Sequence, residues 1–311
     1  MSPDPIPPET GIRIAWWNTK LSPAHVTATI ADAVILAAAD VLTRLMDVVR
    51  ADVIVLGEMS DTSIAALRDK CPEAAARYAW LPACHRAGQS RFSLCVLSRK
   101  DYVRVEFQDP ILLEDGRSVT KVGLRFAVRL WDDSEWIHLI VSHWPSRLHL
   151  TRQDSGRTHI AAFLRHWIED HIFRGNPQPN IVLVGDFNDE PFDEGLERYL
   201  RASRDHDKIK RNPKLFYNPF WRHLSSFEHR LREHHAADPG TYFHRHGRDT
   251  TWRTFDQLIV SSAVLFGRAG WRLDEASTRV VSESQVGIEI RSAQRIFDHL
   301  PIVGHIERQF T

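Results

Sequence analysis

The sequence predicts an α/β chain of the α+β kind, with two mixed β-sheets packed together and helices outside. Three observations carry that prediction. Strand-like segments dominate, helical segments fall between pairs of strands rather than after every strand, and no Pro/Gly/Ser linker divides the 311 residues. A doubly wound parallel sheet would require a helix after each strand. We therefore expect one domain over 11–311, preceded by a loose tail at 1–10 that carries four prolines.

Taken in order, "GIRIAWWN" reads as a strand that reaches a loop at Asn18. Residues from about 24 to 50 are rich in Ala, Leu and Val at helical spacing, and "ADVIVLGEMS" follows as a buried strand. "RFSLCVLSR" and "YVRVEFQ" read as strands, then "VTKVGLRFAVRL" and "EWIHLIVSHW" as a pair around the turn "WDDSE". A helix suits 152–171 and is closed by the breaker "GNPQPN" before the strand "IVLVG". "DEGLERYL" suits a short helix, and "TWRTFDQLIVS" and "PIVGHIE" are the last strands.

Forty basic and forty acidic residues cancel, so any field for a polyanion must be local. The local exception is 198–253, with thirteen Lys and Arg against six Asp and Glu, and aromatics interleaved in "KLFYNPFWRHL". This basic insertion, centred on about 201–250, reads either as a polyanion surface through Lys208, Lys210 and Arg211, or as irregular chain whose aromatics pack onto the core. Cys71, Cys84 and Cys95 have neither the spacing nor the even count of a disulfide or zinc scaffold. Without a visible secretory leader or a bilayer-length apolar run, the expectation is a cytoplasmic protein with no stable membrane insertion.

Several strands end in residues suited to metal and phosphate chemistry: Asn18, Glu58, His143, Asp186 with Asn188, Asp256, and Asp298 with His299. An Asp or Asn after a strand is most often a turn former, so the set matters more than any member. Asp186, Asn188, Glu190 and Glu197 have EF-hand spacing, but Pro191 stands where that loop needs glycine and a strand precedes it. The chain lacks a G-x-S-x-G elbow, a G-x-x-x-x-G-K-[ST] loop and a G-x-G-x-x-G fingerprint. The histidines of "HHAADPGTYFHRH" read as surface residues rather than zinc ligands. What the set permits is divalent-metal phosphoester hydrolysis. Glu58 and Asn18 suffice as main protein ligands for magnesium, Asp256 can support His299, and His143 and Arg147 can donate to phosphate oxygens.

In that order, "WWN", "GE", "SHWPSR", "GDFND", "TFDQLIVS" and "FDHLPI" resemble the endonuclease/exonuclease/phosphatase superfamily over about residues 12 to 307. The resemblance implies a four-layer αββα sandwich whose site lies where loops from both sheets meet. It implies Asn18 and Glu58 as a pair binding Mg2+ or Mn2+, with Asp298 as a further direct or water-mediated ligand. Asp186 and Asn188 would position or activate water, Asp256 and His299 would form the family's Asp–His pair, and His143 would bind phosphate. Two residues depart from the pattern: Phe297 where a serine commonly precedes the last Asp-His, and Gly57 where Gln-Glu is common. The leading expectation is a nuclease acting on DNA or RNA. The alternatives are a phosphatase or phospholipase-type enzyme of the same fold, acting on a small phosphorylated molecule or lipid headgroup, and a non-catalytic nucleic-acid-binding or docking module.

Overall fold

The computed structural model describes residues 11–22, 30–83, 93–116, 118–146, 155–225, 240–245 and 250–309. The tail at 1–10, the start of the first expected helix, Cys84, Arg147 and much of "HHAADPGTYFHRH" lie outside the described residues. Fifteen strands are present among them. These are β1 (Gly11–Asn18), β2 (Val53–Met59), β3 (Tyr78–Ala83), β4 (Ser93–Arg99), β5 (Val103–Asp115), β6 (Ser118–Leu130), β7 (Ile137–His143), β8 (Ile181–Asp186), β9 (Ala202–Ser203), β10 (Phe216–Tyr217), β11 (Tyr242–Phe243), β12 (Trp252–Arg253), β13 (Asp256–Ser261), β14 (Trp271–Val280) and β15 (Ile302–Arg308). They form a six-stranded sheet in the order β14-β15-β1-β2-β4-β3, a seven-stranded sheet in the order β5-β6-β7-β8-β13-β10-β9, and the ribbon β11-β12.

Helices flank both sheets, as the sequence predicts. On α1 (Asp32–Asp47) the residues Ile35, Ala38, Leu42 and Leu45 recur at helical spacing and join the buried cluster of β1 and β2. Ser60 caps α2 (Asp61–Lys70) in a reciprocal capping box with Ser63, and α3 (Pro72–Arg77) starts with proline at its first turn. α4 (Ser155–Ile168) runs on into a π-helical turn at Glu169–Phe173 and covers the other sheet. The strand β8 shows why the polar ends converge. Val182 and Val184 belong to the core between the sheets, whereas Ile181 and Leu183 belong to the core under α4. Side chains alternate along a strand, so Asp186 faces the space between the sheets. The same parity points His143 of β7 and Asp256 of β13 into that space.

Pairing sets the level of each side chain. β1 and β2 run parallel with Asn18 opposite Gly57, and β7 and β8 run parallel with His143 opposite Asp186. β13 is antiparallel to β8 and begins at Asp256 opposite Asp186. Parallel neighbours need crossovers, and α1 and α4 lie within the two connections. The expected strand "TWRTFDQLIVS" is divided into β12 and β13, with Thr254 and Phe255 between them. In the basic stretch, β9 and β10 extend the sheet, and Phe216, Tyr217 and Phe220 are buried. Packing onto the core therefore accounts for these aromatics, while Lys208, Lys210 and Arg211 stay exposed on α5 (His206–Arg211).

The close approach of β7 to β8 depends on Gly185. Its φ is +152°, and a Cβ there would fall inside the radius of the Ser142 carbonyl oxygen. Gly116, in the β5–β6 turn with φ +58°, has open space around it. Gly185→Ala should lower unfolding free energy by more than about 3 kcal/mol, because backbone strain adds to a steric clash that only strand separation relieves. Gly116→Ala should cost no more than about 1 kcal/mol. Equal urea midpoints for the two variants would contradict this account of the β7–β8 contact.

Candidate active site

The strand ends bring Asn18, Glu58, His143, Asp186, Asn188, Asp256, Asp298 and His299 into one cluster. Asn18, 1% exposed, donates from Nδ2 to Glu58 Oε1 at 3.0 Å and to Asp186 Oδ2 at 3.2 Å. Glu58 and Asn188 have positive φ, +50° and +51°, the sparsely populated conformation often found at functional turns. The Asn188 backbone N–H donates to Asp186 Oδ1 at 2.9 Å, and its side-chain amide donates to the Trp144 carbonyl at 2.9 Å. Below this turn, buried Asp189 accepts from Arg157 Nε at 2.6 Å and fixes the loop to α4. Asp189 is thus more than the turn former that its position suggests. Glu190 accepts from Arg253 on β12 at 2.7 Å.

Asp256 is fully buried, and both its oxygens accept side-chain hydrogen bonds. Oδ1 takes the Trp16 indole N–H at 2.7 Å, and Oδ2 pairs with His299 Nδ1 at 2.7 Å. The other imidazole nitrogen, Nε2, lies 3.8 Å from Asp186 Oδ2. His143 Nε2 approaches the same atom to 3.8 Å and Glu58 Oε1 to 3.6 Å. Beside them Lys20 Nζ pairs with Asp298 Oδ2 at 2.7 Å. The turn that carries Asp298 and His299 is held by the segment of β11. Phe243 N donates to the Asp298 carbonyl at 2.9 Å, Leu300 N to the Thr241 carbonyl at 2.7 Å, and Asp256 N to Thr241 Oγ1 at 3.0 Å.

Burial and mutual charge set the proton affinities. Burial by itself would lower the pKa of His299, but the carboxylates of Asp256 and Asp186 outweigh it and push the pKa up to about 10. Burial and then the nearby Asp256 carboxylate push Asp186 up to about 6. His143 is pushed down by burial and is held neutral. Burial raises Glu58, opposed chiefly by the Asn18 hydrogen bond. For Asp298 burial acts upward, but His299 and Lys20 outweigh it and the pKa is lowered.

Within this cluster two sets of groups could hold an ion. Asp186, Asp256 and His299 each bring a ligand atom within 4.8 Å of the others. However, both Asp256 oxygens are engaged and His299 carries a proton, so these three suit proton handling better than ion binding. Glu58, Asn18 and Asp298 offer only oxygens, the donor type that magnesium and manganese prefer. The residues present therefore fit a hard divalent cation on the Glu58 side of the cluster.

The profile of the Endonuclease/Exonuclease/phosphatase family matches residues 34–288. The chain belongs to that family. Membership puts it among hydrolytic phosphoesterases of a divalent-metal-dependent family, and the two mixed sheets with flanking helices are that family's sandwich. Among solved structures, the human Nocturnin catalytic domain with bound sulfate anion superposes with TM-score 0.61 and 14% identity, over 96% of this chain and 95% of that one. A truncated Caenorhabditis elegans TDP2 gives TM-score 0.54 and 13% identity over 96% and 97%. A Bacteroides thetaiotaomicron mannosyl-6-phosphatase gives 0.57 and 12% over 95% and 99%. At these identities the likeness is one of fold. No curated protein matches the sequence.

Sequence reasoning missed Trp16, Lys20, Arg157 and Thr241. Trp16 and Thr241 looked like ordinary strand and loop residues, and only the tertiary pairing reveals their partners. With Asp186 taken as the ionised acceptor and His299 as the retained imidazolium, the cluster yields a pH prediction. With metal saturating, the rate should fall with acid as Asp186 is protonated, at or below about pH 6 because a bound cation favours the carboxylate. It should hold on the alkaline side towards about 10, where His299 loses its proton. A pH–rate profile for Asp186→Asn that keeps the wild-type acid limb would contradict the assignment.

Proposed function

We propose that the protein is a magnesium- or manganese-dependent phosphodiesterase that cleaves nucleic acid. The observation that carries hydrolysis is the buried Asp256–His299 pair facing Asp186, with the oxygens of Glu58, Asn18 and Asp298 beside it. A bound divalent cation would supply charge stabilisation to the phosphoryl and leaving oxygens. Asp186, oriented by the Asn188 N–H and the Asn18 amide, takes a proton from water as its oxygen bonds to phosphorus. The His299 imidazolium, supported by Asp256, stabilises the charge on the phosphoryl oxygens. Neutral His143 donates to a phosphoryl oxygen, and the bond from phosphorus to the leaving alkoxide breaks. Asn188 keeps the turn in register through the Trp144 carbonyl.

Support for nucleic acid over a small phosphate ester comes from the rim of the cluster. Tyr242 lies on the β11–β12 ribbon, with its ring centroid 4.7 Å from that of His299. Arg295 packs over Phe243 at 5.5 Å, and Arg245 is exposed. Aromatic faces and arginines beside a scissile phosphate suit a chain of nucleotides. Lys208, Lys210 and Arg211 form a separate exposed patch at the sheet edge, which would contact phosphates away from the cleavage point.

The expected result in a panel of supercoiled DNA, linear DNA, RNA, inositol phosphates and sphingomyelin is cleavage of DNA or RNA with magnesium or manganese, abolished by EDTA. Intact nucleic acids together with phosphate released from a small ester would overturn the nuclease reading and leave the hydrolytic centre standing.

A further inference from the structure

Trp16 lies on β1 two residues before Asn18, and its side chain is fully buried. Its indole N–H donates to Asp256 Oδ1 at 2.7 Å, across the interface between the two sheets. The other oxygen of that carboxylate meets His299 Nδ1 at 2.7 Å. The two contacts leave the carboxylate group little freedom to rotate about its last side-chain bond. Without the indole, Oδ1 would be a buried acceptor lacking its side-chain donor, and the carboxylate could turn away from the imidazole.

The space for the indole comes from Gly57. A Cβ at that position would fall within contact distance of Trp16 Cη2 and Cζ2, so any larger residue there requires the indole to move. Gly57 is opposite Asn18 in the β1–β2 ladder, one residue before Glu58. The missing side chain at Gly57 admits the ring that reaches Asp256.

We propose that Trp16 is a positioning residue for the hydrolytic reaction, and that Gly57 is the residue that admits it. The indole N–H fixes the plane of the Asp256 carboxylate so that Oδ2 faces His299. The inference rests on the reading of Asp256 and His299 as the catalytic pair.

Trp16→Phe keeps an apolar ring and removes the donor. Its kcat should fall about ten- to a hundredfold, the effect of losing one hydrogen bond to a charged group. KM and the magnesium concentration for half-maximal rate should stay within twofold, because neither substrate nor metal touches the ring. In an Asp256→Ala background the same substitution should have no further effect on kcat, since the carboxylate it acts through is gone. Gly57→Ala reaches the same contact with Trp16 intact. It should lower kcat alone and have little effect when Trp16 is already phenylalanine. A Trp16→Phe enzyme within twofold of wild-type kcat would overturn the proposal, as would an equal loss in the Asp256→Ala background. If wild type cleaves no phosphodiester, the functional reading fails. The Trp16–Asp256 coupling is then read from urea midpoints, where non-additive losses support the contact and additive ones overturn it.

Discussion

The site depends on the hydrogen bond between Asp256 and His299. A fully buried carboxylate is costly unless its charge is compensated, and a buried imidazole resists protonation unless an anion faces it. Each residue solves the other's problem at 2.7 Å, and the result is an imidazolium retained up to about pH 10. That cation faces Asp186, whose own affinity for protons is raised by burial and by Asp256. Without the pair, the strand ends would present Glu58, Asp186 and Asp298 at close range, with Lys20 paired to Asp298 beside them.

The fold makes the pair affordable by taking its parts from both sheets. Asp256 starts β13 in one sheet, and His299 precedes β15 in the other. Neighbours hold both positions as well: Trp16 and Thr241 hold Asp256, and the Trp17 indole donates to the His299 carbonyl at 3.3 Å. Phe297 packs edge-on to Trp17 at 4.9 Å. The two departures from the family pattern thus meet the two adjacent tryptophans. Gly57 leaves room for Trp16, and Phe297 supplies an aromatic surface for Trp17.

Much of this was legible in the sequence, because apolar strands that end in Asp, Asn, Glu or His mark positions suited to metal and phosphate chemistry. Asp186, Asp256 and His143 were readable in that way, and "GDFND" and "FDHLPI" tied them to Asn18 and Glu58. Trp16 was not readable, since a tryptophan in a strand predicts burial and says nothing of where its N–H points. Thr241 was hidden for another reason: its role needs the bridge between Tyr242 and His299, which joins segments far apart in sequence. The aromatics of "KLFYNPFWRHL" looked equally suited to a binding surface or a core. Their pairing with β13 through β10 is a tertiary fact without a local signal. The edge helices α2 and α3 had no expected counterpart, being short and only weakly periodic.

The central claim is that this buried cluster hydrolyses phosphodiesters with the Asp256–His299 pair at its centre. The most direct measurement uses bis-p-nitrophenyl phosphate, which carries neither base nor sugar and so separates the chemistry from substrate recognition. Wild type with magnesium or manganese should release p-nitrophenolate at a rate that EDTA abolishes, and His299→Ala should lose at least about a hundredfold, as expected for removal of a principal charge-stabilising group. Equal rates for wild type and His299→Ala, or turnover indifferent to EDTA, would contradict it.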